Sequence, residues 1–134
     1  LGLQKVAFKG LFKDVKDTDW FVGSVETAKA SGLINGYADG TFKPNQKVSR
    51  QEAAVMIMNA YNLLTGTDYQ KLNISNQTFA DQGALATWAT QAVLSAKGLT
   101  ILSGNKMNQF NPAQPVTRGE VAKMIVGLLN YELN

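Results

Sequence analysis

Two four-residue stretches carry the pattern of an anion-holding site. Ser49–Arg50–Gln51–Glu52 returns 68 positions later as Thr117–Arg118–Gly119–Glu120. Each reads as a helix start. A Ser or Thr at the N-cap accepts a bond from the backbone N–H three residues on, and the Glu reaches back to the cap's own N–H. That box accounts for the hydroxyl and the Glu. It does not account for an Arg at the first helical position twice, where the helix dipole disfavours a cation. A cation beside free helix N–H groups is suited to holding an anion; a capping box with a solvated Arg is the alternative. On the anion reading, Arg50→Ala leaves Ser49 and Glu52 to cap and costs under about 1 kcal/mol of stability.

Composition narrows the chemistry. The chain has 134 residues, 45% hydrophobic, with formal charge +3, enough for one core and a mildly basic surface. Neither half is a polybasic arm, so nucleic acid is not indicated. With no Cys and no His, thiol catalysis, His-based triads, disulfides and the common zinc sites are excluded, and no metal or cofactor is expected. No stretch approaches 18 apolar residues, so none is expected to span a membrane. No signal peptide is seen; for an exported protein this would be a mature fragment.

The elements that position the two motifs belong to an internal repeat. Trp20 and Trp88, Val25 and Val93, Gly36 and Gly104, Phe42 and Phe110, Pro44 and Pro112, and Arg50 and Arg118 share the same offset. Asp14 matches Asp81 at one residue less. The copies divide the chain into 1–66, with a short lead-in, and 67–134, with a linker.

In the first copy, Leu1–Leu11 is short and mixed, with Leu1–Gly2–Leu3 reading as the frayed end of an earlier helix, and Phe12–Val15 reads as an anchored turn. Asp17 and Asp19 are candidate N-caps for a helix from Trp20 to about Ser31, with Phe21, Val25 and Ala28 on its inner face and Gly32 as its stop. Leu33 and Ile34 then bury the chain, and Gly36–Gly40 forms a tight loop. A capped helix runs from Ser49 to about Leu64, closed by Thr65–Gly66. Residues 67–78 read as a linker loop with one helical turn. In the second copy, Thr87 caps a helix from Trp88 to Lys97, with Ala89, Ala92, Val93 and Ala96 inside and Gly98 as its stop. Ser103–Gly104 opens a loop, and the last helix runs from Thr117 to about Tyr131.

Phe-x-Asp-Val, a Trp, Gly-Leu-Ile-x-Gly-Tyr-x-Asp-Gly-Thr-Phe-x-Pro and Ser-Arg-x-Glu-Ala together resemble the surface-layer homology (SLH) repeat, over about Phe12–Leu64 and Phe79–Leu129. The resemblance implies an all-α fold of tandem helix–loop–helix repeats forming part of a pseudo-threefold helical prism. It implies a secreted module on the bacterial cell surface. The module's partner would be a peptidoglycan-linked, anionic secondary cell wall polymer, often ending in pyruvylated N-acetylmannosamine. The family's grooves lie between neighbouring repeats, with an Arg that matches Arg50 and Arg118. Repeats usually come in threes, so these two read as the second and third of an array, completed by a first repeat in the parent chain or by self-association.

The resemblance and the residues converge on one mechanism. A ketal-linked pyruvate is a carboxylate on a sugar, and Arg offers a planar fork of donors to it. Gly36 and, beside Ser103, Gly104 let a sugar approach the backbone. Trp20 and Trp88 either stack on a sugar or fill space between helices, and core filling is the favoured reading. Asp14 and Asp81 accept sugar hydroxyls, or cap locally, or partner the Arg. The expected ligand residues are therefore Asp14, Trp20, Gly36, Arg50, Asp81, Trp88, Ser103, Gly104 and Arg118. The second copy has Asn105–Met107–Asn108 in place of Tyr-x-Asp-Gly, so Arg118 is expected to contribute less than Arg50. A glycoside hydrolase needs two carboxylates across a cleft; Asp14 and Asp81 are the only matched pair besides the capping Glu52 and Glu120, and neither is marked as an acid. The reading is a non-catalytic wall-anchoring module. A protein–protein assembly module of a surface layer is the alternative.

Overall fold

The computed structural model describes residues 9–30, 32 and 34–133. The helical tail expected at Leu1–Gly2–Leu3 falls outside the described residues, as does Leu33. Four helices carry the fold: α1 (Val22–Ala30), α2 (Arg50–Thr65), α3 (Thr87–Gly98) and α4 (Arg118–Leu133). Two three-residue strands, β1 (Lys47–Ser49) and β2 (Pro115–Thr117), precede α2 and α4 and pair with each other. The chain is helical in class, as expected.

The chain packs as two compact units that interleave the copies. One contains residues up to Lys47 and from Thr117 onward; the other is Val48–Val116. In the first, α1 packs against α4. Their buried faces include Phe21, Val25 and Ala28 from the first copy and Val121, Ile125 and Leu128 from the second. In the second unit, α2 packs against α3, and Ala54, Phe79, Ala89, Val93, Leu94 and Phe110 form one apolar cluster. Each unit thus joins the front half of one copy to the rear helix of the other.

The ends of α2 follow the sequence closely. The Ser49 side chain accepts from the Glu52 N–H, Glu52 returns the bond to the Ser49 N–H, and Gly66 closes the helix at φ 70°. The other starts differ. Helix α1 begins at Val22 rather than Trp20, because the Asp19 carboxylate accepts the Lys16 N–H at 2.8 Å and closes a preceding turn instead of capping the helix. Helix α3 has Ala86, not Thr87, at its N-cap. No side chain of its own caps it; the Gln51 side-chain carbonyl of α2 takes the Ala86 N–H at 2.9 Å. Gly98 stays helical, and the left-handed residue that ends the turn is Thr100 at φ 59°, in register with Gly32 at φ 73°.

The linker is tied down. It holds a 3-10 turn at Tyr69–Lys71. Tyr69 is buried, its N–H donates to Asn62 Oδ1, and Gln91 Nε2 donates to the carbonyls of Tyr69 and Leu72.

Candidate functional site

The loops at 36–43 and 104–111 have different sequences and one geometry. In the first, Tyr37 N–H donates to Thr41 O at 2.8 Å and Gly40 N–H to Tyr37 O at 3.0 Å. In the second, Asn105 N–H donates to Gln109 O and Asn108 N–H to Asn105 O, both at 3.0 Å. Asn108 holds φ 55° where Gly40 holds 85°, and Asn is among the residues that tolerate that region. The Asn105 side-chain Oδ1 accepts the N–H groups of Met107 and Gln109, as Asp39 accepts from the Thr41 N–H and hydroxyl. Loss of Tyr-x-Asp-Gly therefore leaves the turn intact.

Each loop is held from two sides. Asp14 accepts the N–H groups of Phe42 and Lys43, each at 2.8 Å. Asp81 does the same for Phe110 and Asn111 at 2.9 and 2.8 Å. These carboxylates are engaged with backbone, which supplies the loop with its anchor. Burial works against the charged form of Asp81, but the N–H groups of Phe110 and Asn111 and its own N–H outweigh that and hold its carboxyl below the usual range. A depressed carboxyl contributes stability above its unfolded value, near about 3.9, and loses it as pH falls through the folded value. Asp81→Asn is thus expected to lower the thermal midpoint at pH 7 by the equivalent of about 1 kcal/mol. At pH 3 the gap from wild type should shrink, and a constant gap would deny the carboxylate this role.

The opposite side of each loop is held by an Arg from the other copy. Within the first unit, Arg118 Nε donates to Phe42 O at 2.9 Å and Nη2 to Asn35 O at 3.2 Å. Within the second, Arg50 Nε donates to Phe110 O at 2.8 Å and Nη2 to Ser103 O at 3.4 Å. Each guanidinium lies 4.6 Å from a Phe ring centre, Phe42 for Arg118 and Phe110 for Arg50. Both arginines are half-buried. Burial pushes Arg50 below its ordinary value, yet an Arg remains charged in proteins.

This pairing corrects two expectations. Arg118, expected beside the Asn105–Asn108 loop, lies against the loop that keeps Tyr37-x-Asp39-Gly40, and Arg50 lies against the Asn105–Asn108 loop. The helix N–H groups are also not free for an anion. Arg50 and Gln51 N–H donate to Gln114 O and Pro112 O, and Arg118 and Gly119 N–H to Gln46 O and Pro44 O, at 2.9–3.1 Å. Ser49 and Thr117 take the Glu52 and Glu120 N–H groups. What remains for an anion is the guanidinium itself. Nε and Nη2 are engaged, and among the described residues Nη1 has no protein acceptor in either Arg while no side-chain nitrogen is buried unsatisfied. Among the described residues, the Nη1 edge is thus the part of each guanidinium left without a protein acceptor.

The other expected residues divide by orientation. Gly36 is required by packing, since a Cβ there would collide with the Phe12 ring and the Thr41 carbonyl. At Gly104 it would lie 2.9 Å from Gln109 O and from the Phe79 ring. Both hydrogens replaced by such a Cβ point inward, so the internal fit explains these glycines without a ligand. Ser103 enters through its carbonyl. The favoured core role for the Trp residues is overturned: Trp20 and Trp88 are 65% and 59% exposed. Trp20 stands edge-on to Phe21 and borders a shallow cleft of about 570 Å³ with Glu120, Lys123 and Met124. Sequence reading missed Tyr37 and Lys43 as neighbours of Arg118. The Arg118 guanidinium lies 5.0 Å from the Tyr37 ring centre and Lys43 Nζ 4.3 Å from it. The Tyr of Gly-Tyr-x-Asp-Gly was the available signal for the first; nothing in the motif marks Lys43.

Paired helix–loop–helix copies, each loop clamped between an Asp and an Arg, define a tandem-repeat module. The family model for the S-layer homology domain matches residues 11–54 and 78–122, and the chain belongs to that family. It is 36% identical over its whole length to the exoglucanase XynX of Acetivibrio thermocellus. It is 37% identical, again over its whole length, to an amylopullulanase of Thermoanaerobacterium thermosulfurigenes. Over 90% of its length it is 27% identical to the S-layer protein EA1 of Bacillus anthracis. The chain spans only 12%, 7% and 13% of these three proteins. Family membership and the surface-layer relatives support a role in attachment at the cell surface or wall, and the matched domain is an accessory attachment module rather than a catalytic one. Among the described residues no helix is long and apolar enough to cross a membrane.

Proposed function

We propose that the chain anchors its parent protein to the cell wall by binding an anionic secondary wall polymer through the carboxylate of a pyruvylated N-acetylmannosamine. The observation that carries this reading is the pair of clamped arginines. Each guanidinium is fixed on its Nε side by backbone carbonyls and has no acceptor on its Nη1 edge among the described residues. A preorganised donor pair of this kind gains a charge-assisted contact to a carboxylate without first having to be ordered. Half-burial lowers the local dielectric and strengthens that contact. The exposed indoles of Trp20 and Trp88 are accessible for stacking on sugar faces. Because the helix N–H groups are occupied, the anion is held by the side chain and not by the helix terminus.

The test is sedimentation with purified walls. The chain should pellet with walls that carry pyruvyl groups, and free pyruvylated N-acetylmannosamine should release it. Binding should weaken modestly as salt rises, since few charges are engaged. Equal pelleting with walls lacking pyruvyl groups would overturn the reading and favour a neutral sugar or a protein partner.

A further inference from the structure

We infer that Lys43 is a specificity-determining residue: with Arg118 and Tyr37 it gives the first unit a site for a saccharide carrying two negative charges. The inference rests on the carboxylate reading above and extends it to the charge of the ligand.

The two loops share a backbone but not their side chains. Around Arg118, Tyr37 and Lys43 converge, and the Tyr37 hydroxyl donates to Gln46 Oε1 at 3.1 Å. At the register positions around Arg50 stand Asn105 and Asn111, neither of them charged. In the second loop the cations stand at other positions: Lys106 lies within the loop, and Lys97 Nζ donates to Asn108 Oδ1 at 3.1 Å. Both cationic heads lie within 5.0 Å of the centre of one ring, and that ring is 37% exposed.

Backbone conformation points the same way. Lys43 is held at φ 57° and Asn111, its counterpart, at φ 58°. Asn tolerates this region, and a long side chain without a local hydrogen bond does so less readily. Lys is therefore the poorer choice for the turn. It is kept there by the Asp14 carboxylate, which binds the Lys43 N–H at 2.8 Å. Strain maintained by its surroundings is a mark of a functional position. Asp39 is an opposing charge that senses Lys43, but its carboxylate already accepts two bonds from Thr41 and is held below its usual range by them. It offsets Lys43 in part and does not form an ion pair with it within 4.0 Å.

The experiment titrates the chain with two probes by calorimetry: pyruvylated N-acetylmannosamine, and the same sugar carrying an added phosphate. Wild type should bind the phosphorylated sugar about fivefold more tightly, the gain from one partly exposed ion pair. Lys43→Asn should abolish that preference and leave affinity for the singly charged sugar within about twofold. Its thermal midpoint should equal or exceed that of wild type, since Asn suits the backbone better. A preference for the phosphorylated sugar that survives Lys43→Asn, or no preference in wild type, overturns the inference while the carboxylate reading stands. Failure of wild type to bind either sugar overturns both.

Discussion

Arg118→Ala is expected to weaken polymer binding about 30- to 300-fold, and Arg50→Ala distinctly less. The order follows from which loop each guanidinium meets. Arg118 stands over the Tyr37 ring, whereas Arg50 stands where the register places Asn105. Neither substitution is silent for stability, contrary to what a solvated Arg implies. Each removes two donors from backbone carbonyls and one stacking contact on a Phe ring. A cost of about 1–3 kcal/mol is expected for each. A second variant separates the effects. Arg118→Lys keeps the charge but loses the fork, because an ammonium cannot span two carbonyls and still present a planar edge. It should share most of the stability loss of Arg118→Ala and only part of its binding loss. The measurements are a thermal midpoint and a titration with pyruvylated N-acetylmannosamine on each variant. A larger binding loss for Arg50→Ala than for Arg118→Ala would reject this assignment of sites.

Gly36→Ala is expected to be the most damaging single-methyl change in the chain. The new Cβ would point into the fold, against the Phe12 ring and the Thr41 carbonyl. Neither can retreat easily. Phe12 is buried and packs on Phe42 at 5.2 Å between ring centres. The Thr41 carbonyl closes the loop by accepting the Tyr37 N–H. Overpacking of this sort costs about 3 kcal/mol, or about 12–24 °C in midpoint for a unit of this size. Gly104→Ala meets the matching Phe79 ring and Gln109 carbonyl at 2.9 Å, a looser fit, and should cost about 2 kcal/mol. Midpoints for the two variants measured side by side check the order. A Gly36→Ala protein as stable as wild type would mean that the loop swings outward, and the inward-facing account would be abandoned.

The helices and their buried faces were legible because periodicity speaks directly about burial. Val25 and Ala28, Ala92 and Val93, and Ile57 and Ala60 are all inside as their spacing predicts. The capping box at Ser49 was legible for a similar reason, since it closes within four residues. Partnership was not legible. A helix face carries no label for the helix that will cover it, so nothing local told α1 to choose α4 or Arg118 to choose the loop around Phe42. The fate of the helix N–H groups was hidden in the same way: the carbonyls of Pro112 and Gln114 that occupy them at α2 come from about sixty residues away. Trp20 was misjudged because size argued for burial, while its place ahead of Val22 leaves the indole outside the packed face. The second loop looked degraded by identity, yet Asn108 supplies the same backbone region as Gly40. Conformation there was preserved by a change of residue type that a motif comparison counts as a loss.

The interleaving of copies gives the chain a folding order. Val48–Val116 is continuous, so its contacts close within one stretch of chain. The first unit must bring Phe21 and Val25 against Val121 and Ile125 across that whole stretch. Closing so long a loop in an unfolded chain has an entropic cost that grows with its length. Once the continuous unit has formed, pairing of β1 with β2 holds the two exits of that loop together, and most of that cost has been met. The discontinuous unit therefore inherits its nucleus from the continuous one. Damage at Gly104 should spread to both units, whereas damage at Gly36 should remain in its own.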